Sequence, residues 1–468
     1  MNTVPLSYDS LRTLLQHVEA NLRFRLVARC PSLRNVEKNV PLYINSLDLN
    51  RNYECTVNEI KYELNIVQFS REGPTSKIIL DQNKKCDSSQ PDIDRFGFKR
   101  PSYRFVKTPG DIIINPLGEN WDHWEDQDET YDEITRRVKK YTLKRLEDEK
   151  NGLVGRGRYA YRPSGWSGDF NQFWRKRIQF LIDSKELELL PYTCRDQDID
   201  SPYYRYVELR CCQRKKGQDN DFFAEIRPFE TVKYTRKLYE TMKYFMTRLF
   251  GGRRPSIHVK LLTVEAYDQI IRLPEGVKFD VRKIFTMGNP ITLFDALLPI
   301  IDENCNPWRH VETRDFDALG GDHFKKADEI TLRWFRMDRL NDIQRLKNKK
   351  VFATVGYFDE EKMCNFIQHW LDNGRKIGTC YIFAFAVEQY ILNMLNVFEQ
   401  MSECEATIDL DKGFMILPMK NSSKLHISYG EPTQDDYYEG YSTWIFKLEV
   451  VSSDVKDAGI GKRTKIED

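Results

Sequence analysis

The apolar positions change period several times along the chain, and each change predicts a different element. Leu11, Leu14, Leu15, Val18 and Leu22 recur at helical spacing behind Ser7, a residue type that caps helix starts. Asn21 offers a second cap, and Phe24, Leu26, Val27 and Cys30 carry the next stripe. Pro31 ends it, because proline cannot continue a helix interior. Short helices are therefore expected over residues 7–36. Strand signals replace them at 42–44, 53–57 and 62–68, the last with the period-two alternation of a half-buried strand. Residues 72–98 are polar and rich in turn formers, which predicts a loop, and 111–114 predicts a buried strand. A long helix is expected over 128–149, with Asp128, Glu129, Asp132 and Glu133 at its dipole-positive start and Tyr131, Ile134, Val138 and Tyr141 as its inner stripe. A Gly-, Arg- and Tyr-rich connector (152–168), a helix (170–182) and mixed strands to residue 229 follow.

Beyond residue 231 the pattern becomes regular. Helices are expected at 232–249, 265–273, 292–302, 359–372 and 387–401. Strands are expected at 256–262, 278–281, 310–313, 329–334, 350–355, 379–385, 424–429 and 443–450. Alternating strands and helices imply a parallel or curved sheet faced by helices. The spacing is too irregular for a formal repeat, but it admits a leucine-rich-repeat-like curve. The fold class is thus α+β or mixed α/β. A helical module (1–40) leads to a strand-rich middle (41–229), a βα-alternating domain (230–452) and a charged, disordered tail (453–468).

Composition narrows the function. With 40% hydrophobic and 13% aromatic residues in 468, the chain has enough apolar material to fold over most of its length. A net charge of +1 excludes a globally basic nucleic-acid surface. No apolar run reaches the roughly 18 residues of a membrane span, and the first residues lack a secretory pattern. The expected setting is therefore intracellular, cytoplasmic or nuclear, with reduced cysteines. Adjacent Cys211 and Cys212 are poorly placed to bond to each other, and the Asn421-Ser422-Ser423 sequon would not be glycosylated.

Catalytic signatures are missing. There is no P-loop and no Gly-x-Ser-x-Gly elbow, and Gly152, Gly155 and Gly157 lack dinucleotide-binding context. His123 among Asp122, Glu125 and Asp126 reads as a solvated loop ahead of a helix rather than a metal site, and Cys211-Cys212 lacks the second pair a zinc site needs. A Cys–His pair could still meet in space. No catalytic, cofactor or metal residue is assigned, and a non-enzymatic role is expected. The basic cluster Arg136, Arg137, Lys139, Lys140, Lys144 and Arg145, and the pair Arg253-Arg254, read as solvated faces. Tyr203, Tyr204 and Tyr206 read as strand packing. Tyr437, Tyr438 and Tyr441, read as lying in the polar loop 430–440, are candidate interface residues.

The segments Pro5–Leu11, Leu14–Val18, Leu22–Leu26 and Cys30–Leu33 resemble a shortened F-box, and Val40–Ile44 with Tyr62–Leu64 extend the likeness. Phe366–Trp370 followed by Ile377–Thr379 resembles the helix-to-strand step of F-box-associated regions. Together they are similar to the nematode F-box C related proteins, a lineage-expanded family of unknown function. The resemblance implies a protein-binding adaptor of a cullin–RING ubiquitin ligase. Leu11, Leu14, Leu15, Leu22, Leu26 and Leu33 would dock on a Skp-type adaptor, and the downstream domain would hold an unknown substrate. Pro5-Leu6 stands where an F-box opens Leu-Pro, and the third-helix tryptophan is missing. A structural or interaction protein with a degenerate F-box and no ubiquitin link is the alternative.

Overall fold

The computed structural model describes residues 7–51, 53–85, 91–100, 106–114, 129–152, 170–214, 223–265, 269–287, 290–303, 309–317, 319, 321–356, 359–386, 389–393, 407–409, 413–420, 422–431 and 444–453. The fold is mixed α and β. It divides into one unit of Met1–Asn50, Gly252–Tyr267 and Gly276–Asp468, and a second of Arg51–Gly251 and Asp268–Glu275. These limits differ from boundaries at 41 and 230. Strand Leu42–Arg51 pairs with Ile257–Glu265, so its backbone ladder holds it in the first unit.

In the first unit, parallel strands stack in chain order: Leu42–Arg51, Ile257–Glu265, Phe279–Met287, His310–Thr313, Glu329–Phe335, Lys350–Val355 and Cys380–Phe385. Parallel neighbours need crossovers. Helices Pro290–Leu297, Asp322–Lys326, Leu340–Gln344 and Glu360–Asn373 supply the later ones. Each crossover advances the sheet by one place, so the parallel strands lie in chain order. Antiparallel strands Trp444–Ser452, Ser423–Gly430, Phe414–Pro418 and Thr407–Asp409 extend the sheet beyond Cys380–Phe385.

The first three strands share a spacing. Leu42, Ile44, Leu47 and Leu49 are buried, as are Ile257, Val259, Leu262 and Val264 and then Phe279, Val281, Ile284 and Thr286. The same extra residue interrupts the alternation in each strand. Their side chains therefore change face together and the register survives. The shared burial spacing is local to these three strands.

Helix Glu360–Asn373 follows the expected local rules. The Asp359 side chain accepts from the Lys362 amide at 3.1 Å, and Gly374, at φ 70°, ends the helix. Met363, Phe366, Ile367 and Trp370 form its buried stripe, and Trp370 lies edge-on to Tyr381 with ring centroids 4.8 Å apart.

The second unit carries the antiparallel strands Glu54–Val57, Ile60–Ser70, Tyr203–Arg214 and Phe223–Lys233. Helices Glu129–Lys150 and Phe170–Asp196 pack through Leu146, Trp174, Ile178 and Ile182. The expected inner stripe of the first helix is corrected. Ile134, Val138 and Tyr141 are exposed (54%, 59% and 69%), and the Tyr131 side chain lies outside the described residues. The inward face is Asp132, Arg136, Lys139, Leu143 and Leu146, which share one side at helical spacing. Its charges pair with Arg195, Asp196 and Glu188 of the second helix. Part of the basic cluster expected to be solvated is therefore an interhelical surface.

Three local expectations also change. Residues 265–273 hold a strand, Gln269–Ile271, paired with Ile112–Ile114 rather than a helix. The helix expected from 232 begins at Leu238, because Thr231 and Val232 complete a strand. The expected loop at 72–98 contains helix Lys77–Asn83, capped by Ser76.

Candidate functional site

The amino-terminal module consists of helices Tyr8–His17 and Ala20–Arg29, a 3₁₀ turn Pro31–Leu33, and helix Arg34–Lys38. Ser7 caps the first helix by accepting from the Ser10 amide at 3.2 Å. Glu19, not Asn21, caps the second, accepting from the Leu22 amide at 3.1 Å. Asn21 is buried and donates to Glu19 at 2.9 Å. Pro31 starts the 3₁₀ turn, where its missing amide hydrogen is no loss.

The six leucines separate by environment. Leu15 is 1% exposed and belongs to the core with Ala20, Phe24 and Val27. It is therefore withdrawn from the expected docking set, because a buried side chain cannot reach a partner. Leu14 and Leu22 are 48% and 49% exposed, and Leu11, Leu26 and Leu33 are half-buried. Tyr437, Tyr438 and Tyr441 lie outside the described residues, as does His123.

A buried ionic network anchors the module. Arg23 Nε donates to Glu37 Oε1 at 3.0 Å, and its Nη atoms donate to the carbonyls of Pro41, Glu37 and Val40. Arg253 Nη2 donates to the same carboxylate oxygen at 2.6 Å. Arg23, Glu37 and Arg253 are all nearly inaccessible, with side-chain exposures of 1%, 1% and 3%. Buried charges persist only when paired and hydrogen-bonded, and Glu37 serves two cations. Burial, then the charge of Arg253, pushes the Lys38 ammonium down to about 7. Arg253, expected to be solvated, is thus structural. Spacing within the chain could not show this, because the partners are far apart in sequence.

Another surface lies on the first unit's sheet, on the face opposite the shared buried positions. Tyr43 is 58% exposed and stacks on His258, with ring centroids 4.7 Å apart. His258 Nδ1 lies 2.8 Å from Asp280 on the next strand. One step further along the strands stand Lys260 and Arg282, both exposed. Deeper in the sheet, buried Glu312 pairs with Lys283 at 2.5 Å and with Arg333. Composition gave no hint of this face; the shared strand spacing is the signal that finds it.

The second unit has a cleft of about 650 Å³ lined by Ile78, Phe180, Leu187, Leu190 and Tyr203. Asp183 and Glu186 also line it, without a histidine or cysteine among the described lining residues. No group of three metal-ligating side chains occurs among the described residues. Burial holds the Cys364 thiol up at about 11, which disfavours a thiolate there. Cys212 is buried and its Sγ donates to Glu63 at 3.6 Å. No helix among the described residues is long and apolar enough to cross a membrane.

The geometry therefore offers contact surfaces: exposed leucines on an anchored helix pair, and a polar-aromatic sheet face. No curated protein and no solved structure matches the chain. Residues 237–386, from the start of helix Leu238–Phe250 through strand Cys380–Phe385, are similar to the family described as Domain of unknown function (DUF3557).

Proposed function

We propose that this protein is a non-catalytic binding adaptor, working inside the cell in the manner of an F-box substrate receptor. Its amino-terminal helices would dock on a Skp-type adaptor while the remainder holds a protein substrate. The observation that carries this reading is the split within the helical module. Leu14 and Leu22 project into solvent from helices whose other faces are held by Leu15, Phe24 and the Arg23–Glu37–Arg253 network. Exposed leucines on rigid helices suit a partner groove, because little conformational entropy remains to be lost on docking.

The purified full-length chain, mixed with a Skp-type adaptor and run on a sizing column, tests this. Co-elution that is lost in Leu14→Asp/Leu22→Asp, with the circular dichroism spectrum unchanged, is the expected result. No co-elution of the wild-type chain, together with no cullin recovered in cells, would overturn the reading. The burial of Leu15 favours the alternative, a helical module that only completes the fold. Leu15→Asp should unfold the module under either reading, so it serves as the control.

A further inference from the structure

We propose that the open face of strands Leu42–Arg51, Ile257–Glu265 and Phe279–Met287 binds an acidic peptide segment of a partner protein through Lys260 and Arg282. This deepens the substrate-receptor reading, and it rests on that reading only in making the partner a substrate. The register pairs Val259 with Val281 and Leu261 with Lys283, which sets Lys260 directly beside Arg282. Both side chains are exposed. Adjacent strands usually place opposite charges side by side, because like charges there repel. Among the described residues neither head group has an ion-pair or hydrogen-bond partner, whereas their neighbours are paired. His258 meets Asp280 at 2.8 Å, and Lys283 meets Glu312 at 2.5 Å. The uncompensated pair therefore stands out on these three strands, and exposed Arg309, set beside Arg282 by the pairing of Lys283 with His310, continues it.

A carboxylate placed between the two head groups removes their repulsion and gains charge-assisted hydrogen bonds, bidentate ones from the guanidinium. Tyr43, stacked on His258 one step back along the strands, adds a firm aromatic platform of the kind interfaces use. The same row argues against nucleic acid. Asp280 lies on this face one step back along the strand, and the chain's net charge is only +1, which sets a carboxylate of the protein against any phosphate backbone laid along the row. A short row of cations beside a ring matches a short acidic, aromatic-bearing peptide instead.

The test uses the full chain alone and a fluorescein-labelled twelve-residue peptide of alternating Glu and Tyr, followed by anisotropy at low and moderate salt. The expected result is saturable binding that weakens at least about tenfold in Lys260→Glu/Arg282→Glu. Binding should survive in Lys260→Arg/Arg282→Lys and in Lys144→Glu, an exposed cation of the other unit. No binding by the wild-type chain, or an equal loss in Lys144→Glu, overturns the proposal. So does tighter binding of a labelled oligothymidine through the same two residues, which would make this a nucleic-acid face. No adaptor is present, so loss of Skp-type docking and failure of this site remain separate results.

Discussion

Glu37→Gln isolates the energetics of the module's anchor. The substitution keeps the side chain's size and one acceptor oxygen but removes the negative charge that Arg23 and Arg253 share. The guanidinium groups it neutralises are 1% and 3% exposed, so water cannot take over its role. Arg23 retains the carbonyls of Pro41, Glu37 and Val40, which hold its geometry without cancelling its charge. Removing one partner of a buried ion pair typically costs about 3–5 kcal/mol, because the surviving charge stays desolvated. Two surviving cations that also repel each other place the loss at the upper part of that range. The assay is thermal unfolding followed by far-ultraviolet circular dichroism. A loss of about 4–5 kcal/mol corresponds to a fall of roughly 8–20 °C for a unit of this size. The companion Arg23→Met/Glu37→Leu/Arg253→Met should recover much of the loss, since an apolar replacement needs no compensation. A fall under about 2 °C in Glu37→Gln, or a triple variant worse than the single, would refute the claim that this carboxylate holds the module in place.

Lys38 should make stability depend on pH. Its folded pKa of about 7 lies below the ordinary 10.5, so the unfolded chain binds more protons between those values and stability rises as pH climbs from 7 towards 10.5. Lys38→Met should flatten that rise in urea titrations at pH 7 and pH 9. Burial, then Lys283 and Lys350, push His310 from 6.5 to about 3, so stability should fall as pH drops from 6.5 towards 3, and His310→Gln should abolish this component in the same assay. Trp370→Ala should destabilise by about 3–5 kcal/mol, measured by urea unfolding, because Trp370 is fully buried against Phe366 and Tyr381. Gly110 has φ 88°, and a Cβ there would lie 2.6 Å from the Glu275 amide nitrogen. Gly110→Ala should therefore lower the melting temperature, and an unchanged melt would show that the adjoining backbone can shift.

What the sequence determined on its own was local. The Ser7 cap, the stop at Pro31, the helix over 359–372 and the presence of a strand through residues 62–68 all follow from the bonding needs of a few neighbouring residues. The half-buried alternation expected of that strand is corrected, because residues 62–67 are buried on both faces. The mixed fold class follows from the same signals summed along the chain. Tertiary structure decided which of two possible faces each element buries. Leu14 and Leu15 are equivalent to a helical period, yet only Leu15 meets the core. On helix Glu129–Lys150 the packing of Leu143 and Leu146 against Trp174, Ile178 and Ile182 faces that side inward, flanked by the ion pairs to Glu188, Arg195 and Asp196, and Ile134, Val138 and Tyr141 are left exposed. Periodicity reports that a face is apolar but not what lies opposite, so it cannot weigh one face against another. The same limit hid the charged sites. Glu37 and Arg253 are 216 residues apart, and Lys260 and Arg282 become neighbours only when two parallel strands settle into register. Such pairings depend on contacts made across the fold, and no local pattern encodes them.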